Sequence, residues 1–275
     1  MADLPKVALA PESYSDLFAG WARHPEARPF AGGTSFMRAG GKREREPELP
    51  EAVISLGKIE EMRRIARSER YLDIGAAVRL SRIIELRKFV PGVLVRCLRD
   101  IAGPQLRNMA TIGGNVCERL DSVAALAALD AQYELRNAQS SWWVTAARFS
   151  LDGGSGALGP QELMCRIRVP LDGWDYSAYK KFARREGGDR CAVFLARPQK
   201  DTLADIRVIC KAGSRIWRDR DGEMLLVGKR LPLTRRVAAA FVQSWDSFLR
   251  VESADELLRG ELVSFIEANA RNLTE

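Results

Sequence analysis

The chain has 275 residues, 46% of them hydrophobic and 29% charged, which exceeds the usual size of a single core and predicts two or three lobes sharing one buried site. Its longest apolar run, Ser122 to Leu129, is far shorter than the roughly 20 residues of a membrane-crossing helix, and Met1-Ala2-Asp3-Leu4-Pro5-Lys6 lacks the basic and apolar order of a secretion signal, so a cytoplasmic location is expected. The net charge of +7 is spread along the chain, with Lys42, Arg43 and Arg45 alternating with Glu44, Glu46 and Glu48 as in a solvated loop, which argues against nucleic-acid binding.

In chain order, Lys6 to Leu9 reads as a short strand. Ser13 can cap a helix whose Tyr14, Leu17, Phe18 and Trp21 fall at helical spacing. Arg28 to Ala31 is a strand entering a glycine loop, and Ala52 to Leu56 closes a small βαβ-like lobe. A second lobe opens with a hairpin, Met62 to Arg67 and Tyr71 to Ala77, turning at Ser68-Glu69-Arg70. Ser81 begins a short helix, and Pro91 stands at the first position of another that runs to about Ile101. After a glycine-rich stretch near Ile112 come a helix from Asp121 to Leu129 and strands at Gln132 to Arg136, Trp142 to Thr145 and Leu163 to Val169, the last stopped by Pro170. Asp152 to Gly156 is a surface loop by composition, and Pro170-Leu171-Asp172-Gly173 is a hinge. Beyond it lie strands at Ser177 to Ala183, Ala192 to Ala196 and Ala204 to Ala212, then helices near Thr234 to Leu249 and Ala254 to Asn269. Strands pooled apart from helices predict an α+β fold rather than a doubly wound sheet.

Five cysteines, Cys97, Cys117, Cys165, Cys191 and Cys210, are widely spaced without a Cys-x-x-Cys pair, so they read as buried free thiols. They offer no cluster for iron and sulfur, and no metal site is expected. The single histidine, His24, lies in a polar setting and reads as a surface residue.

Two stretches carry the chemistry: Ala31-Gly32-Gly33-Thr34-Ser35, directly after a strand, and Thr111-Ile112-Gly113-Gly114-Asn115. Paired glycines allow positive φ and turn successive N–H groups inward, an anion nest that suits a pyrophosphate. Thr34, Ser35 and Thr111 can add hydroxyls, and Asn115 both a donor and an acceptor. Either pair alone is also the mark of an ordinary tight turn. Neither fits Gly-x-Gly-x-x-Gly, and Gly40-Gly41-Lys42-Arg43 lacks the first glycine and the hydroxyl of a P-loop.

Further pieces stand in order around these loops: Val53-Ile54-Ser55-Leu56, Leu72-Asp73-Ile74-Gly75-Ala76, Gln105 to Ala110 leading into the second loop, and Ala128-Leu129-Asp130-Ala131. Tyr179-Lys180-Lys181-Phe182-Ala183-Arg184-Arg185 and Glu223 to Lys229 follow. Together they resemble the FAD-binding medium subunits of molybdenum hydroxylases, including those of xanthine dehydrogenase and aerobic carbon monoxide dehydrogenase, over almost the whole chain. The resemblance implies a two-lobed FAD-binding domain of the PCMH type, residues 1–57 and 58–172, and a C-terminal flavoprotein domain, 173–275, with a small antiparallel sheet and helices.

It further implies non-covalent FAD, its pyrophosphate cradled at Ala31 to Ser35 and at Gly113 to Asn115, with Thr111 and Ile112 near the flavin. Asp121 would bind the ribose or ribityl side, and Lys181 would lie at the pyrimidine end of the ring. Molybdopterin and a 2Fe-2S cluster would belong to partners, a large and a small subunit, and the chain would pass electrons to an acceptor such as NAD+ or oxygen with no catalytic residue of its own. Two departures stand out. Ser35 replaces the family's usual Asp, and the stretch from Val116 to Asp121 is shorter than usual. A self-sufficient FAD-dependent oxidase and a structural subunit with a degenerate FAD site are the other readings.

Overall fold

The computed structural model describes residues 6–39, 50–151, 158–185, 188–252 and 254–274. The charged run from Lys42 to Glu48 and the Asp152 to Gly156 loop fall outside them.

The first sheet is built from β1 (Val7–Leu9), β2 (Arg28–Phe30) and β3 (Ala52–Ser55), with helices α1 (Tyr14–Arg23) and α2 (Thr34–Ala39) between the strands. Both pairings are parallel and β3 lies in the middle, so its Ala52, Val53 and Ile54 are buried. Ser13 caps α1 as expected, its Oγ accepting from the Asp16 amide at 3.1 Å, and Leu17, Phe18 and Trp21 form the buried face.

A five-stranded antiparallel sheet follows, ordered β4-β5-β8-β6-β7, from β4 (Ile65–Arg67), β5 (Tyr71–Gly75), β6 (Gln132–Arg136), β7 (Ser141–Thr145) and β8 (Leu163–Pro170). Between β5 and β6 the chain makes five short helices: α3 (Leu80–Glu85), α4 (Gly92–Arg99), α5 (Pro104–Arg107), α6 (Ile112–Cys117) and α7 (Ser122–Ala128), and α8 (Ala146–Leu151) precedes β8. The hairpin's first strand is shorter than the apolar pattern predicts. Met62 sits instead in a 3-10 turn, Glu61–Arg63, fully buried, its carbonyl accepting from Ala77 at 2.8 Å. Pro91 caps α4 from outside the helix rather than occupying its first position. Pro170 is the last paired residue of β8, opposite Tyr71.

The third sheet is an antiparallel meander, β12-β11-β10-β9, from β9 (Tyr176–Arg185), β10 (Gly188–Gln199), β11 (Thr202–Ala212) and β12 (Arg215–Trp217). These strands run longer than predicted, and β12 and the short helix α9 (Arg220–Met224) were not anticipated. Helices α10 (Arg235–Val251) and α11 (Glu256–Arg271) cover one face, where Phe194, Phe241, Trp245 and Leu262 form a core. The other face carries Cys191, Val193, Leu195 and Ile209 into the main core, which also holds Leu94, Val123 and Ala127. Burial on both sides explains why Cys191 to Ala196 is a continuous apolar run without alternation. At the edges of this junction Arg207 pairs with Asp130 and Asp205, Arg218 lies 3.8 Å from Asp130, and Arg96 donates to the Ser177 carbonyl and hydroxyl, each at 2.7 Å. Among the described residues no helix is long and apolar enough to cross a membrane.

One close approach sets the geometry where β5 ends. A Cβ added to Gly75 would lie 2.3 Å from the Met62 carbonyl oxygen, a backbone atom that cannot swing aside. Gly75→Ala is therefore expected to destabilise the chain by about 1–3 kcal/mol, the usual cost of overpacking; a thermal melt of the purified variant with an unchanged midpoint would refute it.

Candidate functional site

The two glycine loops meet. Thr111 and Arg79 form an isolated bridge that holds the second loop beside the end of β5, while the first loop leaves β2 and turns into α2. A Cβ on Gly32 would stand 2.1 Å from the Met109 carbonyl oxygen and 3.1 Å from the Ala110 Cα, so the loops touch backbone to backbone. Beside this contact opens a cavity of about 930 Å³, towards the upper end of the ~300–1,000 Å³ common for small-molecule sites.

The loops differ in what their amides do. In the first, Gly33 has φ +69°, the left-handed conformation that glycine adopts freely. Among the described residues, the amides of Gly32, Gly33, Thr34 and Ser35 find no acceptor. In the second loop, no residue has positive φ; the glycines instead begin α6, capped by the Thr111 hydroxyl. Its amides are already committed: Ile112 to the Val78 carbonyl, Gly113 to Ala76, Gly114 to Thr111 Oγ1 and Asn115 to the Thr111 carbonyl, at 2.8–3.2 Å. Gly113 is required for packing, since a Cβ there would lie 2.6 Å from the Ala76 Cβ. The sequence expectation of two converging nests is thus replaced by one open nest and one self-satisfied turn that supports it.

Ala31, Gly32, Gly33, Thr34, Ser35, Thr111, Gly113, Gly114, Asn115, Asp121 and Lys181 all line the cavity. Ile112 does not; its side chain is fully buried in the main core. The Asn115 side-chain oxygen Oδ1 is taken by Ser122, accepting from its amide at 3.2 Å and its hydroxyl at 2.5 Å. That link, with the Leu120 amide donating to the Asn115 carbonyl oxygen and Arg119 at φ +52°, closes the short stretch after the loop into a turn that delivers Asp121 to the cavity.

Asp121 is almost fully buried. Its Oδ2 accepts from Lys181 Nζ at 2.7 Å, while Oδ1 has no hydrogen-bond partner among the described residues. Lys181 is therefore paired rather than solvated, also reaching the Asp100 carbonyl at 3.3 Å and Asp189 at 3.8 Å. Burial alone would lower the Lys181 pKa, but the hydrogen bond and charge of Asp121, aided by Asp189, hold it above its ordinary 10.5. The ammonium stays charged throughout the neutral range, and this pairing is lost only as pH climbs past the raised value.

Sequence reasoning missed other wall residues. Arg28 and Phe36 line the cavity near the first loop, Ile101, Ala102 and Leu106 lie on the wall shared with the second, and Leu158, Leu163 and Met164 complete the apolar part. Cys117 lines it too and is exposed, unlike the other four thiols, which are buried. Glu118 adds a carboxylate. His24 lies elsewhere, half-buried beside Glu26. Among the described residues no cluster of three or more His, Cys, Asp or Glu could hold a metal. A dinucleotide fits this arrangement: the Gly32 to Ser35 amides, which meet no acceptor among the described residues, suit a diphosphate, the Asp121 carboxylate on the wall suits a hydroxyl donor, and the apolar walls suit flat rings.

Comparison with known proteins gives a family profile, described as the FAD binding domain in molybdopterin dehydrogenase, that matches residues 6–172. The chain is similar to the carbon monoxide dehydrogenase medium chain of Hydrogenophaga pseudoflava, 29% identical over 86% of this chain and 83% of that one. It is 26% identical to the nicotine 6-hydroxylase medium subunit of Paenarthrobacter nicotinovorans over 98% of this chain and 99% of that one. A putative xanthine dehydrogenase FAD-binding subunit of Escherichia coli is 28% identical, but the match spans 64% of this chain and only 62% of the relative. Among solved structures, a carbon monoxide dehydrogenase of Hydrogenophaga pseudoflava superposes with a TM-score of 0.78 at 25% identity, covering 100% of this chain and 96% of that one.

The close contact between the loops makes a specific demand. Gly32→Ala and Gly33→Ala are expected to lower FAD content per purified chain at least severalfold, the first by prying the loops apart and the second by straining a left-handed residue. Gly57→Ala, whose Cβ would meet nothing nearer than 3.7 Å, should retain the parent content. Equal FAD in all three would exclude the loops as the site.

Proposed function

The chain belongs to the family of FAD-binding domains of molybdopterin dehydrogenases, and on that premise we propose that it is the flavin subunit of a molybdenum hydroxylase complex. The observation that carries this reading is the meeting, in one cavity, of the unspent amides from Gly32 to Ser35 with the Asp121–Lys181 pair. FAD, when bound, supplies the exchange between single-electron and two-electron transfer. The chain's own residues bind and orient it. Gly32 to Ser35 hold the diphosphate, with Thr111, Gly113, Gly114 and Asn115 as the supporting floor. Asp121, on the cavity wall, accepts a ribose or ribityl hydroxyl. Lys181 brings positive charge to the pyrimidine end of the ring, where it favours negative charge arriving with electrons.

We assign the chain a role in passing electrons rather than in attacking the organic substrate. The medium-chain and subunit names of the relatives support assembly with others. We assign molybdopterin to a large partner and a 2Fe-2S cluster to a small one, from which electrons reach this chain and leave to a terminal acceptor such as NAD+ or oxygen. Residues 1–57 and 58–172 would form the FAD-binding lobes and 173–275 the closing domain. Five free thiols support a cytoplasmic setting.

The purified chain is expected to be yellow, to release FAD on acid treatment, and to contain no iron; a colourless protein that takes up no added FAD would defeat the proposal. Co-expressed with its molybdopterin-binding and 2Fe-2S partner subunits, the chain should elute as a larger complex. Persistent elution as a lone chain would leave a flavoprotein but remove the subunit role.

A further inference from the structure

A second lysine stands behind the Asp121–Lys181 pair. Lys181 on β9 is registered with Cys191 on β10, and Cys191 with Lys211 on β11. Residues directly opposite in an antiparallel sheet project to one face, so both lysines reach the face on which Asp121 stands. Lys211 is 1% exposed, and its Nζ lies 3.7 Å from Asp121 Oδ1, the oxygen that has no hydrogen-bond partner among the described residues. It does not line the cavity, whereas Asp121, Lys181 and Asp189 do.

The four groups balance in charge. Lys181 and Lys211 offset Asp121 and Asp189 through contacts of 2.7, 3.7 and 3.8 Å. Burying an ammonium is costly, and removing one member of a buried ion cluster leaves the others uncompensated. Without Lys211 the cluster carries one net negative charge at the cavity wall, where low local dielectric makes it count. Negative charge there opposes electrons arriving at a ligand in the cavity.

We propose that Lys211 is a positioning residue of the cofactor site: acting through Asp121, it keeps this charge cluster neutral and thereby sets the reduction potential of the FAD held beside it. The inference rests on the FAD reading given above and adds to it a residue that never touches the cofactor.

The test uses the full chain reconstituted with FAD. Bound FAD per chain, the midpoint potential of that FAD and the melting temperature of the FAD-free chain are measured for the parent, Lys211→Met, Lys211→Arg and the double variant Lys211→Met with Asp189→Asn. The methionine variant should become harder to reduce by at least the equivalent of a tenfold change in the two-electron equilibrium, about 30 mV more negative. The arginine variant should stay near the parent. The double variant, neutral again, should return towards it, a recovery that loss of packing alone would not give. Full FAD content with an unmoved potential in Lys211→Met overturns this inference alone, and so does a double variant that stays as negative as the single one. If the methionine variant fails to fold or to hold FAD, recovery of both in the double variant supports the charge role, and failure there overturns it. A parent chain that takes up no FAD overturns the FAD reading and this inference with it.

Discussion

Everything at the site depends on two turns lying against one another with no side chain between them. Gly32 meets the Met109 carbonyl so closely that a single methyl group would separate the loops. Because the second turn spends its amides on Ala76, Val78 and its own Thr111, it is satisfied before anything binds. The first turn carries the opposite character, with amides that meet no acceptor among the described residues. One loop is a fixed wall and the other a supply of donors, and glycine serves each differently: as a left-handed hinge at Gly33 and as absent bulk at Gly32 and Gly113.

Charge enters from elsewhere in the chain. Asp121 arrives immediately before α7, while Lys181 and Lys211 come from registered positions two strands apart in a different sheet, on either side of Cys191. Their meeting requires that sheet to be seated against α4 and α7, which its apolar row of Cys191, Val193, Leu195 and Ile209 achieves. Hydrophobic packing thus fixes an electrostatic arrangement that none of the loops could build alone. The ties around Asp130, and Glu223, whose carboxylate accepts from the Val208 amide at 2.8 Å and from Arg218, hold the outer end of the same sheet in place.

Much of this was legible from residue order. Ser13 and its apolar spacing announced α1, the Gln132 to Arg136 strand was read to its ends, and the two loops and Asp121 were singled out together. The unread parts share a physical cause, since each depends on contacts distant in sequence. Thr111 is a cap, with Gly114 three residues on, but Gly-Gly reads as a turn until the commitment of its amides is known. Met62 looks like strand yet stands in a 3-10 turn whose carbonyl lies against Gly75. Ile112 sits within the second glycine loop but serves the core. Lys211 resembles any surface lysine until sheet register places it opposite Cys191 and, through it, in line with Lys181.

The main core does not stop where the family match stops. It passes beyond residue 172 into β10 and β11, so Val123 and Ala127 on one side and Val193 and Ile209 on the other form a single dry seam. A boundary drawn by likeness to relatives is therefore no place to cut. A fragment ending there would present an oily flank to water, and shuffling either half between relatives means exchanging both sides of that seam together.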